Sequence, residues 1–229
     1  MVQLAIFPIL GILLCGAVPA GDEEENRWES TIHSFEEQDR ESMPPEGAVL
    51  FVGSSSIRIW NLVESFPDLE TINRGFGGST ITDVNRYAER IVIPYQPATI
   101  VFYAGDNDIS RGDTPEEVFE NFKTFVGKVQ SALPKTEIIF ISIKSSIARW
   151  NLWDKMSSAN ELIEAFCEVD ERLTYVDLGK TILGEDGKPR SVLLMQDGLH
   201  LNEDGYARWN EALHPYLADA KKKEPEAAG

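Results

Sequence analysis

Four short segments of this chain carry residue types able to perform nucleophilic chemistry. The first, Gly53-Ser54-Ser55-Ser56, follows an apolar run and precedes Ile57-Arg58-Ile59-Trp60. A serine here stands on a tight turn that opens a helix, and Ser55 can face a cleft. The start of a helix also supplies unpaired backbone N–H groups and a dipole that favours negative charge developing on an oxygen. A serine attacks a carbonyl efficiently only when a base takes its proton and a third group orients that base. Asp197-Gly198-Leu199-His200-Leu201 supplies such a pair. Of the three histidines, His33 has no acid three residues before it and lies in an early polar stretch. His214 follows Glu211 by the right interval, but both sit in the last helical pattern beside Pro215, far from any predicted strand end. His200 lies in a glycine-containing loop where Asp197 can hold its Nδ1–H while Nε2 faces Ser55.

The other two segments offer hydrogen-bond donors. Asn73-Arg74-Gly75-Phe76-Gly77-Gly78-Ser79-Thr80 is a glycine-rich loop through which backbone can approach a ligand closely. Its spacing fits neither a dinucleotide fingerprint nor a P-loop, and no lysine follows to reach a phosphate. The Gly78 N–H suits an oxyanion instead. Gly105-Asp106-Asn107-Asp108 brings a polar cluster directly after a buried strand. Asn107 can donate its amide N–H to the same oxyanion, while Asp106 and Asp108 can cap the turn. Read as a calcium loop from Asp106, the segment has Asp108 third and Glu117 closing, but Arg111 stands where the turn requires glycine. A metal-dependent hydrolase built on Asp106, Asp108 and His200 is the competing chemistry.

These segments need a frame. Ala48 to Val52, Thr99 to Tyr103, Glu137 to Ile143 and Leu173 to Val176 are short apolar runs of the kind buried on both faces of a parallel sheet, and Thr71 to Asn73 is a shorter one. Between them, Thr82 to Ile93, Pro115 to Leu133, Asp154 to Cys167 and Glu203 to Leu217 show apolar residues at three- and four-residue spacing. Strands alternating with helices predict an α/β fold, a three-layer α/β/α sandwich around a parallel sheet of about five strands, with the site at the strand carboxyl ends. The loop Lys144 to Trp153 carries Arg149, Trp150 and Trp153 to that edge, where it is expected either to wall a pocket or to pack its aromatics locally.

In their order and separation the four segments resemble the signature blocks of the SGNH/GDSL hydrolase superfamily, over nearly all of Val49 to Leu217. The resemblance implies a flavodoxin-like sandwich and a serine esterase. It makes Ser55 the nucleophile, His200 the base and Asp197 the orienting acid, with the Ser55 and Gly78 N–H groups and the Asn107 amide holding the oxyanion. The family's usual Gly-Asp-Ser-Leu reads here Gly53-Ser54-Ser55-Ser56, so a serine replaces the acid beside the nucleophile, and Ser55 is picked out of three serines by its distance from Gly53. Neither metal nor organic cofactor is implied. A non-catalytic carbohydrate-binding protein on the same fold is a further alternative.

The 229 residues suit one domain. Residues 1–20 contain no charged side chain and end in Val18-Pro19-Ala20, which reads as a signal peptide and predicts a secreted or periplasmic protein without stable membrane association after cleavage. The rest divides into a helical extension over 21–47 whose Trp28, Ile32 and Phe35 are expected to dock outside the core, a hydrolase domain over 48–220, and a disordered tail over 221–229. Cleavage after Ala20 removes Cys15 and leaves Cys167 alone, so no internal disulfide is expected. The formal charge of −17 repels phosphate backbones, which argues against nucleic acid as a partner and tolerates a neutral or weakly cationic substrate; the resemblance makes that partner a small-molecule or carbohydrate ester.

Overall fold

A computed structural model describes residues 27–218 of the chain; the apolar segment through Ala20 and the charged end from Lys221 lie outside the described residues. Five strands form one parallel sheet: β1 (Val49–Gly53), β2 (Thr71–Gly75), β3 (Thr99–Tyr103), β4 (Glu137–Ile141) and β5 (Leu173–Val176). Their spatial order is β2-β1-β3-β4-β5. The order reverses direction between β1 and β3, so the loops leaving those strands diverge to opposite faces and open a crevice at their carboxyl ends.

Alternation along each strand explains the unbroken apolar runs. Leu50, Val52, Ile100, Phe102, Ile138 and Phe140 point to one face. Val49, Phe51, Val101, Tyr103, Ile139 and Ile141 point to the other. The first face is covered by α1 (Glu29–Glu41), α4 (Ile81–Ile91), α6 (Pro115–Ala132) and α7 (Trp153–Cys167). The second is covered by the short α2 (Ser55–Arg58) and α3 (Leu62–Ser65) and by α8 (Glu203–Leu217). The remaining short helix, α5 (Asp106–Arg111), lies at the carboxyl end of β3.

The element boundaries fall within two residues of the sequence reading, and two of the shifts have a visible cause. The helix expected from Thr82 to Ile93 runs from Ile81 to Ile91. A capping box between Thr80 and Asp83 starts it earlier, and a 3-10 turn containing Pro94 ends it. The β4 strand stops at Ile141 rather than Ile143, because Asn160 on α7 takes both the N–H and the C=O of Ile143, at 2.8 and 2.9 Å. Those bonds lead the chain out of the sheet.

The expectation that the early helix docks outside the core is corrected. Ile32 is 0% exposed and belongs to the core of the first face, where Trp28 and Phe35 pack against it. Ion pairs of Asp39 with Arg74, and of Glu29 and Glu36 with Arg90, fasten the polar side of α1 to β2 and α4. Truncating Ile32→Ala is expected to cost about 3 kcal/mol of stability, as for other isoleucines emptied from a packed core. Denaturant unfolding would show a lower midpoint at unchanged slope, whereas a peripheral helix would show almost no shift.

Candidate active site

The turn after β1 is made by glycine of necessity. Gly53 has φ +140°, and a Cβ there would lie 1.9 Å from the Tyr103 carbonyl oxygen of the neighbouring strand. The chain then enters α2. The Ser54 N–H donates to Tyr103 O at 2.9 Å, and its carbonyl accepts from the N–H groups of Ile57 and Arg58, both at 3.1 Å. Its hydroxyl is buried without a partner, so the backbone alone makes the hydrogen bonds at this position. Ser54 and Ser56 are 0% and 2% exposed, leaving Ser55 as the serine that lines the cleft.

His200 Nε2 lies 2.9 Å from Ser55 Oγ, and His200 Nδ1 lies 2.6 Å from Asp197 Oδ2. The other Asp197 oxygen accepts from the Leu199 and His200 N–H groups at 2.9 and 3.0 Å, so a single carboxylate shapes the loop and aims the ring. The hydrogen bond to His200, with these N–H bonds added, holds the Asp197 carboxyl down to about 2. It is therefore ionised throughout the neutral range.

Each carbonyl of residues 198–200 is also taken. The Ala148 N–H donates to Gly198 O at 3.1 Å, Lys144 Nζ to Leu199 O at 2.7 Å, and the Met195 N–H to His200 O at 2.8 Å. Lys144 is only 1% exposed. Burial lowers its ammonium pKa, an effect opposed by the charge of Asp106. The loop after β4 thus serves mainly to clamp the Asp197–His200 segment, a function its sequence did not suggest. Trp150 and Trp153 stack on each other at 6.2 Å, and only Arg149 from this loop reaches the cleft.

Arg149 reaches it in a definite way. Its Nη1 donates to Asp106 Oδ2 at 2.8 Å and its Nη2 to Asn107 Oδ1 at 2.9 Å. Because the Asn107 oxygen faces a guanidinium, its amide nitrogen faces the other way and gives one hydrogen to Ser79 O at 3.0 Å. The second hydrogen is free to meet a ligand. Gly78 lines the same cleft, as do Ser55, Asn107 and His200, and the Ser55 N–H at the first turn of α2 has no intrahelical acceptor. The structure therefore gathers all five residues singled out from the sequence, Ser55, Gly78, Asn107, Asp197 and His200, at one edge of the sheet.

The competing residues are engaged elsewhere. Asp108 Oδ1 accepts from the Ile81 N–H at 2.8 Å, Asp106 is paired with Arg149, and Glu117 caps α6 at Thr114. Asp106, Asp108 and His200 do not converge, and among the described residues no cluster of three or more His, Cys, Asp or Glu could hold a metal. His33 pairs with Glu37 on the exposed side of α1, and His214 lines a separate small cavity with Phe66 and Pro67.

The chain belongs to the GDSL-like lipase/acylhydrolase family, whose model matches residues 57–208. It is accordingly a carboxylic ester hydrolase. It is 28% identical over 225 residues to the platelet-activating factor acetylhydrolase IB subunit alpha2 of Homo sapiens, covering 92% of this chain and 93% of that protein. Among solved structures it is similar to a GDSL-like lipase from Bacteroides thetaiotaomicron, with a TM-score of 0.73 at 20% identity, covering 83% of this chain and 98% of the other. It is also similar to a mutant of an acetyl-xylooligosaccharide esterase from Geobacillus Stearmophilus, with a TM-score of 0.60 at 17% identity over 77% of this chain and 95% of that one.

Asp108 joins two of the site's loops, and its titration is readable. Burial raises its carboxyl to about 7, against the pull of the Ile81 N–H. An unfolded aspartate releases its proton near pH ~3.9. Between these values the folded chain holds a proton that the unfolded chain has lost, so this group's support for the folded state is present at the acid end and disappears as pH rises through 7. Asp108→Asn keeps an acceptor for Ile81 and removes that dependence. Its melting temperature relative to wild type should be distinctly higher at pH ~8 than at pH ~5; an equal difference at both values would count against a buried, raised carboxyl.

Proposed function

We propose that the protein is a serine esterase that cleaves short acyl or acetyl esters, carbohydrate esters included, through an acyl-enzyme. The observation that carries the reading is the continuous hydrogen-bond line from Asp197 through His200 to Ser55. In the proposed reaction His200 Nε2 takes the Ser55 proton as Oγ attacks the ester carbonyl carbon. The new oxyanion is held by the Ser55 and Gly78 N–H groups and the free Asn107 amide hydrogen. His200 then gives its proton to the departing alcohol oxygen, leaving the acyl group on Ser55. Water attacks this ester with His200 again as base and releases the acid. Trp28 and Leu199 are the larger apolar side chains lining the cleft, a limited apolar surface that favours a short acyl group over a long chain. Relatives named for acetyl esters support the same reading. Export through residues 1–20 is part of the proposal and rests on their composition alone.

A fluorophosphonate probe should label the protein, and peptide mapping should place the adduct on Ser55; an adduct on Ser54 or Ser56 would displace the nucleophile. Asn107→Ala should lower kcat on an acetyl ester by ~10²-fold or more while circular dichroism stays unchanged. Wild-type turnover in that folded variant would remove Asn107 from the oxyanion site.

A further inference from the structure

The described residues lining the cleft include two arginines, Arg58 and Arg149, and no aspartate or glutamate. This is an unusual balance for a chain with 38 acidic and 21 basic residues. Two more guanidinium groups stand beside the same loop. Arg111 Nη2 donates to Gly78 O at 2.9 Å, and Arg27 Nη2 would lie 3.6 Å from a Cβ at Gly78. Their charges are not equally available. Arg149 is neutralised by Asp106, and Arg111 lies 3.6 Å from Asp83. Arg58 has no carboxylate partner among the described residues, and it is exposed to the cleft.

Its placement follows from the backbone. Arg58 follows Ser55 by three positions on α2, which sets the two side chains on one face of the helix. The guanidinium then lies against Gly77, where a Cβ would come within 2.8 Å of Nε and 3.4 Å of Cζ. Gly77 has no left-handed φ to require glycine, so what its missing side chain provides is room for the arginine.

From this arrangement we infer that Arg58 is a specificity residue that reads an anionic group, phosphate or carboxylate, carried within a few bonds of the scissile ester. The inference rests on the esterase reading and narrows its substrate class. A guanidinium pairs with either anion through two parallel hydrogen bonds, and the pairing is strong where water is partly excluded. A neutral alkyl or sugar ester would draw no comparable benefit from an unpaired cation beside the nucleophile. The net charge of −17 opposes this approach at long range, but exposed charges are screened beyond about 10 Å in ordinary salt, so the local arginines govern the final contact.

The test compares three esters on the full protein: glycerol monoacetate, its 3-phosphate, and the glycerol hemisuccinate, in which a carboxylate sits on the acyl half. Wild type should prefer at least one charged ester by about tenfold or more in kcat/KM, and the preference should shrink as salt is raised. Which charged ester is preferred identifies phosphate or carboxylate as the group read. In Arg58→Gln the charged-to-neutral ratio should fall about tenfold, and Arg58→Lys, which keeps the charge but not the two parallel hydrogen bonds, should restore only part of it. Equal turnover of all three esters by wild type, or an undiminished ratio in Arg58→Gln, overturns the role of Arg58 and leaves the esterase standing. If no ester is cleaved and the fluorophosphonate probe fails to label Ser55, the esterase reading falls, and this inference falls with it.

Discussion

The hydrogen bond between Ser55 and His200 joins residues 145 positions apart, and the rest of the site is arranged around keeping that contact short. One end is immobile because Gly53 presses against Tyr103 in the sheet and Ser54 is tied to the same strand by its backbone. The other end is a loop without regular structure, which would otherwise sample many orientations at a considerable entropic cost. It is restrained by Asp197 from inside and by donors on its carbonyls from outside, among them the Lys144 ammonium. Asn160 on α7 fixes the backbone one residue before Lys144, so the position of the imidazole is set through β4 and the helix packed beneath it.

Burial keeps Asp108 protonated well above the usual carboxylate range, whereas the charge of Asp106 is met by a partner. Arg149 links Asp106 to Asn107, converting an ion pair into control of an amide's orientation. A buried ion pair contributes little net stability, because desolvation offsets most of the attraction. Here the pair has a geometric use: the amide nitrogen of Asn107 must face the cleft while its oxygen faces the guanidinium. The isolated Lys144 is the exception. Its ammonium makes one hydrogen bond, to Leu199 O, and draws on Asp106 and Asp197 at longer range.

Much of the frame was legible because parallel strands buried on both faces leave continuous apolar runs. Four strands begin at the residues read from the sequence, Thr71, Thr99, Glu137 and Leu173, and the first begins one residue later than read, at Val49. The residue types of the site were legible because few side chains can serve as nucleophile or base, and only three histidines were available. Burial of Ile32 was not, because the polar composition of α1 hides a single side chain that reaches the core. The clamp by Lys144, the orientation of Asn107 by Arg149 and the link from Asp108 to Ile81 escaped for a different reason. Each acts through a hydrogen bond to a distant loop, and such bonds leave no period or local motif in the chain.

Position 54 shows how a family's spelling can drift. Every hydrogen bond made there runs through main-chain atoms, and the serine hydroxyl points into packed surroundings that offer it nothing. The turn before Ser55 is thus fastened by the peptide chain itself, without the acid that gives the family its familiar motif, and a search keyed to that one letter would pass this chain by.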